Sequence, residues 1–205
     1  MSVYLRKTFT FPAGVVHNDN YRINFYTLVV DFATTTPNPT DQNVAIDRIQ
    51  YWLDLIVTDC VFIDKNNSMT DAFVQTGQRV LEFPLSPVDH LIGYMLYSKL
   101  KSITEGNLEI IRTEISSLLG GDMCYMHTYN EELDIDDAPD WWYSSGPSWI
   151  STAGSQDSNV IALTRSITWE ELDLLWEDER GPDQEYEIVF EPDFDNEIVF
   201  DNKKD

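Results

Sequence analysis

The order of hydrophobic periods along the chain predicts an α+β fold: a mostly antiparallel, split βαβ-like sheet with two main helices packed on one face, plus an acidic C-terminal helix and strand module. Three observations carry that expectation. They are a β-branched and aromatic run at Tyr21–Phe32, two stretches with apolar residues at helical spacing, and a pair of strand-like runs joined by a double glycine.

Tyr21–Phe32, YRINFYTLVVDF, has the composition of a half-buried strand. The loop TTTPNPTDQN follows, rich in turn formers. In Val44–Val57, Ile46, Ile49, Leu53 and Ile56 recur at spacings of three and four and define one helix face. Cys60–Ile63 and Gln78–Phe83 read as short strands separated by the polar loop Lys65–Thr70. Ser86-Pro87 is a helix start, with a cap at Ser86 and proline at the first helical position. Leu91, Met95, Leu96, Leu100 and Ile103 carry the stripe to the stop at Glu105-Gly106-Asn107. Leu108–Ile115 and Met123–Tyr129 form two further strands across the Gly120-Gly121 turn.

The chain's 205 residues, 42% of them hydrophobic, suffice for a core without staples. A division at residue 130 is expected, into an α+β domain at 1–130 and an acidic, Trp-rich module at 131–205, with one packed unit as the alternative. Two cysteines, Cys60 and Cys124, make no disulfide framework and read as a reduced, buried pair. The N-terminal residues lack a leader's apolar core and no stretch approaches a membrane span, so a cytoplasmic location is expected.

Net charge is −23, and it is unevenly placed. Up to Asn130 there are 14 acidic against 9 basic residues; from Glu131 to Asp205 there are 22 against 4. Within that region Glu131–Asp140 reads as an acidic linker, followed by the aromatic loop WWYSSGPSW. Thr168 and Glu171 fit a capping box, with Ile167 and Leu172 as its hydrophobic staple. A helix Trp169–Glu179 is therefore predicted, burying Leu172, Leu175 and Trp176.

Asp183–Asp201 alternates by parity. Odd positions carry Asp183, Glu185, Glu187, Glu191, Asp193, Asp195, Glu197 and Asp201 with two valines, Val189 and Val199, while even positions include Tyr186, Ile188, Phe190, Phe194, Ile198 and Phe200. In an extended strand those sets face opposite ways, and same-face carboxylates lie about 6.7 Å apart. That is comparable to the separation of successive phosphates along one nucleic-acid strand, which winds about the axis while rising about 3.4 Å per nucleotide. In charge pattern, though in no motif, the region resembles proteins that imitate DNA to block nucleic-acid-binding enzymes. The same alternation also protects a sheet edge from aggregation.

Other chemistry has little support. His17, His90 and His127 stand beside no nucleophile at a recognisable spacing, and phosphate loops, nucleophile elbows and zinc spacings are absent. Clustered carboxylates at Asp134-Asp136-Asp137 and Asp193-Asp195-Glu197 lack the glycine of a calcium loop.

The sequence thus predicts a non-catalytic, cofactor-free inhibitor that presents a DNA-like negative surface to a basic, nucleic-acid-binding protein, such as a phage or mobile-element anti-restriction protein. Its partner surface is expected to comprise Asp134, Asp136, Asp137, Asp140, Glu170, Asp173, Glu177, Asp178 and the odd-position carboxylates of Asp183–Asp201, with Trp141 and Trp142 as aromatic anchors. Two alternatives are an immunity or assembly protein with a dedicated basic partner, and a metal-dependent enzyme using carboxylates such as Asp31 and Asp59.

Overall fold

The computed structural model describes residues 4–34, 38–128, 138–147 and 167–180. The strand run at 183–201, the linker carboxylates at 134–137 and part of the aromatic loop lie outside the described residues.

Among the described residues, six strands form one mixed sheet in the order β4-β3-β1-β2-β5-β6. They are β1 (Tyr4–His17), β2 (Asn20–Thr34), β3 (Val61–Asp64), β4 (Val80–Phe83), β5 (Leu108–Ser117) and β6 (Cys124–Thr128). The pairs β1–β2, β2–β5 and β5–β6 are antiparallel, whereas β3 runs parallel to both β1 and β4. The helices are α1 (Pro39–Trp52), which continues as a π-turn over Leu53–Val57, the short α2 (Thr70–Gln75) and α3 (Asp89–Thr104). α3 links β4 to β5, which run parallel with three strands between them, so the α+β class and the mostly antiparallel sheet hold.

Alternation along the strands decides what each face meets. Phe9, Phe11, Ala13 and Val15 of β1, with Tyr26, Leu28, Val30 and Phe32 of β2, form the main core under α1 and α3. On the opposite face Val16, Val61, Ile63 and Val80 form a smaller cluster, against which Met69 and Phe73 pack. Pro12 is tolerated in a central strand because of where it sits. Its carbonyl accepts from Asp59 N–H, and β3 pairs with β1 only from Gly14 onward, so the missing N–H breaks no ladder. Between Asp31 and Phe32 the β2–β5 register shifts. Across this point Asp31 faces two guanidiniums, with Arg6 Nε at 2.6 Å and Arg112 Nε at 2.8 Å.

Several boundaries differ from the sequence expectation. β1 was not anticipated as a strand, although Phe9, Phe11, Ala13 and Val15 alternate inward along its second half. α3 starts at Asp89 with Val88 at its cap position; Ser86, two residues before that cap, instead bonds His17 Nδ1 at 2.8 Å. α1 buries Val44, Ala45, Asp47, Arg48, Ile49, Tyr51 and Trp52, more than a single stripe, and Ile46 is only half-buried. Cys60 is buried and Cys124 exposed, and both are free, so they are not a buried pair. No helix among the described residues is long and apolar enough to cross a membrane.

Gly93 sets the distance between α3 and the sheet, because a Cβ there would lie 2.6 Å from Ile115 Cγ2 and 2.8 Å from His127 Nε2. Gly93→Ala is therefore expected to destabilise by about 1–3 kcal/mol in denaturant unfolding, despite the helix propensity gained. A net stabilisation would show that the contact yields easily.

Candidate partner-binding surface

Two helical cations, Lys99 of α3 and Arg48 of α1, lie at the centre of this region. Both are almost fully buried, at 0% and 1% exposure. A buried charge is costly unless its hydrogen-bonding capacity is met. Lys99 meets that demand with three backbone carbonyls from the Trp-rich chain that follows the sheet, whereas Arg48 takes one such carbonyl at Nε and its Nη1 has no hydrogen-bond partner among the described residues.

Lys99 Nζ donates to the carbonyls of Trp141 (2.8 Å), Ser144 (2.8 Å) and Gly146 (2.7 Å), one acceptor for each ammonium proton. This fixes residues 138–147 across α3. Trp142 is then fully buried, packs on Trp52 and Phe83, and donates Nε1–H to Glu82 O at 2.8 Å. Burial pulls the Lys99 pKa down to about 7, and the three carbonyl dipoles oppose that pull.

Arg48 holds residues 167–180. Its guanidinium lies 3.8 Å from the Trp176 ring and 5.0 Å from that of Trp169, and Nε donates to Leu174 O at 2.7 Å. Glu105 and Glu179 lie 3.7 and 3.8 Å away. Burial draws the Arg48 pKa down to about 10, with these two carboxylates working against the shift. Arg48 therefore stays charged at neutral pH. Trp169 Nε1–H reaches Ser145 O at 2.7 Å and joins the two segments into one strap.

The strap turns its carboxylates outward. Asp140, Glu170, Glu177 and Asp178 are exposed, and Asp173 is half-buried. Some also help to hold the strap in place. Glu177 accepts from Asn38 Nδ2, Asp173 accepts from Arg180 at 3.4 Å, and Glu179 accepts from Trp176 N–H at 3.2 Å.

Three expectations change. Trp141 and Trp142 are core side chains at 4% and 0% exposure, which removes them from the partner-facing set. The predicted helix at 169–179 does not form. The Thr168–Glu171 capping box does close, with N–H to side-chain oxygen distances of 3.2 and 3.3 Å, but it closes a turn. Asp173 adopts a left-handed conformation (φ 56°), and Leu174 gives its carbonyl to Arg48. Consequently Trp169, Leu174 and Trp176 face inward, whereas Leu172 and Leu175 are half-buried. The expected site residues Asp134, Asp136, Asp137, Asp183, Glu185, Glu187, Glu191, Asp193, Asp195, Glu197 and Asp201 lie outside the described residues.

Asp31, a candidate ligand for metal chemistry, is engaged by Arg6 and Arg112, and the Arg6 hydrogen bonds chiefly hold its carboxyl below the usual range. Asp59 sits in a tight turn (φ 60°) before β3. Among the described residues no three His, Cys, Asp or Glu side chains converge as a metal site.

No protein-family model matches the chain, and no curated protein matches it. Among solved structures it is similar to uncharacterized protein WS1659 from Wolinella succinogenes, at 11% identity and a TM-score of 0.48, over 64% of this chain and 99% of that one. A likeness at that level carries no statement about function.

The low Lys99 pKa has a stability consequence. The unfolded side chain titrates near 10.4, so between about pH 7 and 10 the unfolded chain binds more protons, and stability rises with pH through that window. Wild type should gain on Lys99→Met between pH 6.5 and pH 9 in urea unfolding; an unchanged difference would contradict a buried, titrating Lys99. Arg48→Leu should cost about 1–3 kcal/mol, because the Leu174 carbonyl loses its hydrogen-bond donor and the Trp176 ring loses its cation, and it should red-shift tryptophan fluorescence. Unshifted fluorescence in a folded Arg48→Leu variant would show that the strap holds without Arg48.

Proposed function

We propose that the protein is a non-catalytic binding protein that offers an acidic surface to a basic, nucleic-acid-handling protein and competes there with nucleic acid. The observation that supports this is the sidedness of the strap. Its described tryptophans, Trp141, Trp142, Trp169 and Trp176, point inward around Lys99 and Arg48, whereas Asp140, Glu170, Glu177 and Asp178 point outward. Such an arrangement spares the partner the cost of ordering a flexible acidic chain on binding.

The sequence extends the same charge well beyond the strap, with 22 acidic against 4 basic residues from Glu131 onward. A surface of that sign steers a basic partner from a distance and releases the anions bound to it. The proposed target is the groove of a DNA-handling enzyme, as in an anti-restriction protein, working in the cytoplasm without cofactor.

The test is affinity capture from host extract, followed by competition on the captured protein. Duplex DNA should displace the captured partner, and binding should weaken roughly a thousandfold between 50 and 200 mM salt if about six contacts resemble phosphate contacts. Replacement of Glu170, Glu177 and Asp178 by their amides should weaken it further. Binding that ignores DNA and salt would refute polyanion competition and leave a dedicated immunity or assembly partner as the account.

A further inference from the structure

α1, α3 and the strap take one face of the sheet. The other face is covered on one side only, where Met69 and Phe73, at the start and middle of α2, pack on Val61 and Ile63 of β3 and Val80 of β4. Phe73 also meets Tyr21 of β2, with ring centroids 5.3 Å apart.

Beyond Tyr21 the alternation places apolar side chains that no described element covers. On β2, Ile23 and Phe25 alternate with the buried Asn24 and Tyr26, so they point away from the main core. Leu118, whose N–H donates to the Phe25 carbonyl at 2.9 Å, carries the row past the end of β5. Met126 of β6 stands in line with Glu114 and Val29. A row of small side chains, Thr27, Ser116 and Cys124, lies between these two.

Ile23, Phe25, Leu118 and Met126 are 62, 57, 70 and 50% exposed. Single exposed apolar residues need no explanation, whereas four in neighbouring rows do. At about 200 Å2 for a fully exposed side chain of this size, the four present on the order of 500 Å2. Two such faces give about 1,000 Å2 before the small row is counted, which reaches the size of a specific interface.

Charge decides what this face accepts. Asp31 lies 2.6 Å from both Arg6 and Arg112, and Arg112 lies 3.2 Å from Glu114. Two cations and two carboxylates leave that cluster beside the apolar rows neutral, although the chain carries −23. A basic partner is drawn instead to the strap on the opposite side, and an acidic partner is repelled by the chain as a whole. A flat, neutral, apolar face suits its own copy about a two-fold axis, because that contact is self-complementary and turns both straps outward.

We propose that the open face of β2, β5 and β6 pairs with the same face of a second copy of this chain. The result is a face-to-face homodimer with one acidic strap on each outer side. Its formation does not depend on what the strap binds.

Sedimentation equilibrium of the full chain tests this. The mass should approach twice the 23.7 kDa of one chain at micromolar concentration. Association should strengthen as salt rises from about 0.1 M to about 1 M, because the Debye length falls from about 10 to about 3 Å and screens the repulsion between two acidic chains. That dependence is opposite in sign to the one expected for the strap and its partner. Phe25→Glu and Leu118→Glu, both at exposed positions, should each weaken association at least about tenfold, since each sets like charges against each other across the two-fold axis. Neither should lower the stability of the monomer in urea. A monomer at every concentration and salt would overturn the assignment. Lowered stability of a monomeric Phe25→Glu would then give the face to the chain's own residues, and unchanged stability would give it to a different protein. A dimer that survives both substitutions, or that weakens as salt rises, would overturn it as well.

Discussion

Two buried cations organise the part of this protein that its hydrophobic core alone would leave loose. Lys99 and Arg48 project from helices whose other faces already pack on the sheet, and each would be intolerable there without partners. The partners come from the acidic part of the chain as backbone carbonyls and indole faces, not chiefly as carboxylates. Such an arrangement satisfies a desolvated charge while leaving side-chain carboxylates free to face water. An ion-pair solution would have drawn those carboxylates inward. Their outward display is therefore a consequence of how the cations are satisfied.

The same contacts explain why both helices are buried on more than one side. α3 buries Leu91, Ile92, Tyr94, Met95, Leu96, Tyr97, Lys99, Leu100 and Ile103, which is too wide an apolar surface for a helix with one face in solvent. The sheet covers one side, while residues 140–143 and α1 cover others. Packing on the far side then relies on Trp141, Trp142, Trp169 and Trp176, whose large rings fill the layer with few residues. Each of the last three also donates its indole N–H to a protein oxygen, which fixes ring orientation as well as depth.

Local periodicity made much of the α+β frame legible in advance. β2 and β5 followed the β-branched and alternating runs, and α1 and α3 followed spacings of three and four, because those patterns report which face is dry. The parallel placement of β3 and β4 beside β1 was not legible, since strands of four residues carry no directional signal. The strap failed differently. Thr168 and Glu171 gave a true capping signal, yet tertiary demand from Arg48 for the Leu174 carbonyl outweighed the local preference for helix. Lys99 and Arg48 themselves looked like ordinary surface cations. The one available hint was that their neighbours, Leu96, Leu100 and Ile103 for Lys99 and Ile49 and Trp52 for Arg48, were all apolar. Tryptophans that looked like hot-spot anchors belong to the same packing, because an aromatic cluster reads identically whether it awaits a partner or already has one.

Native-state hydrogen exchange of the wild-type protein probes the central claim most directly. If the cations bind the strap into the cooperative core, then the Trp142, Leu174 and Trp176 amides open with free energies close to those of β2 and α3. Protection in the strap near that of a free chain, beside a fully protected sheet, would contradict it and detach the acidic surface from any fixed geometry.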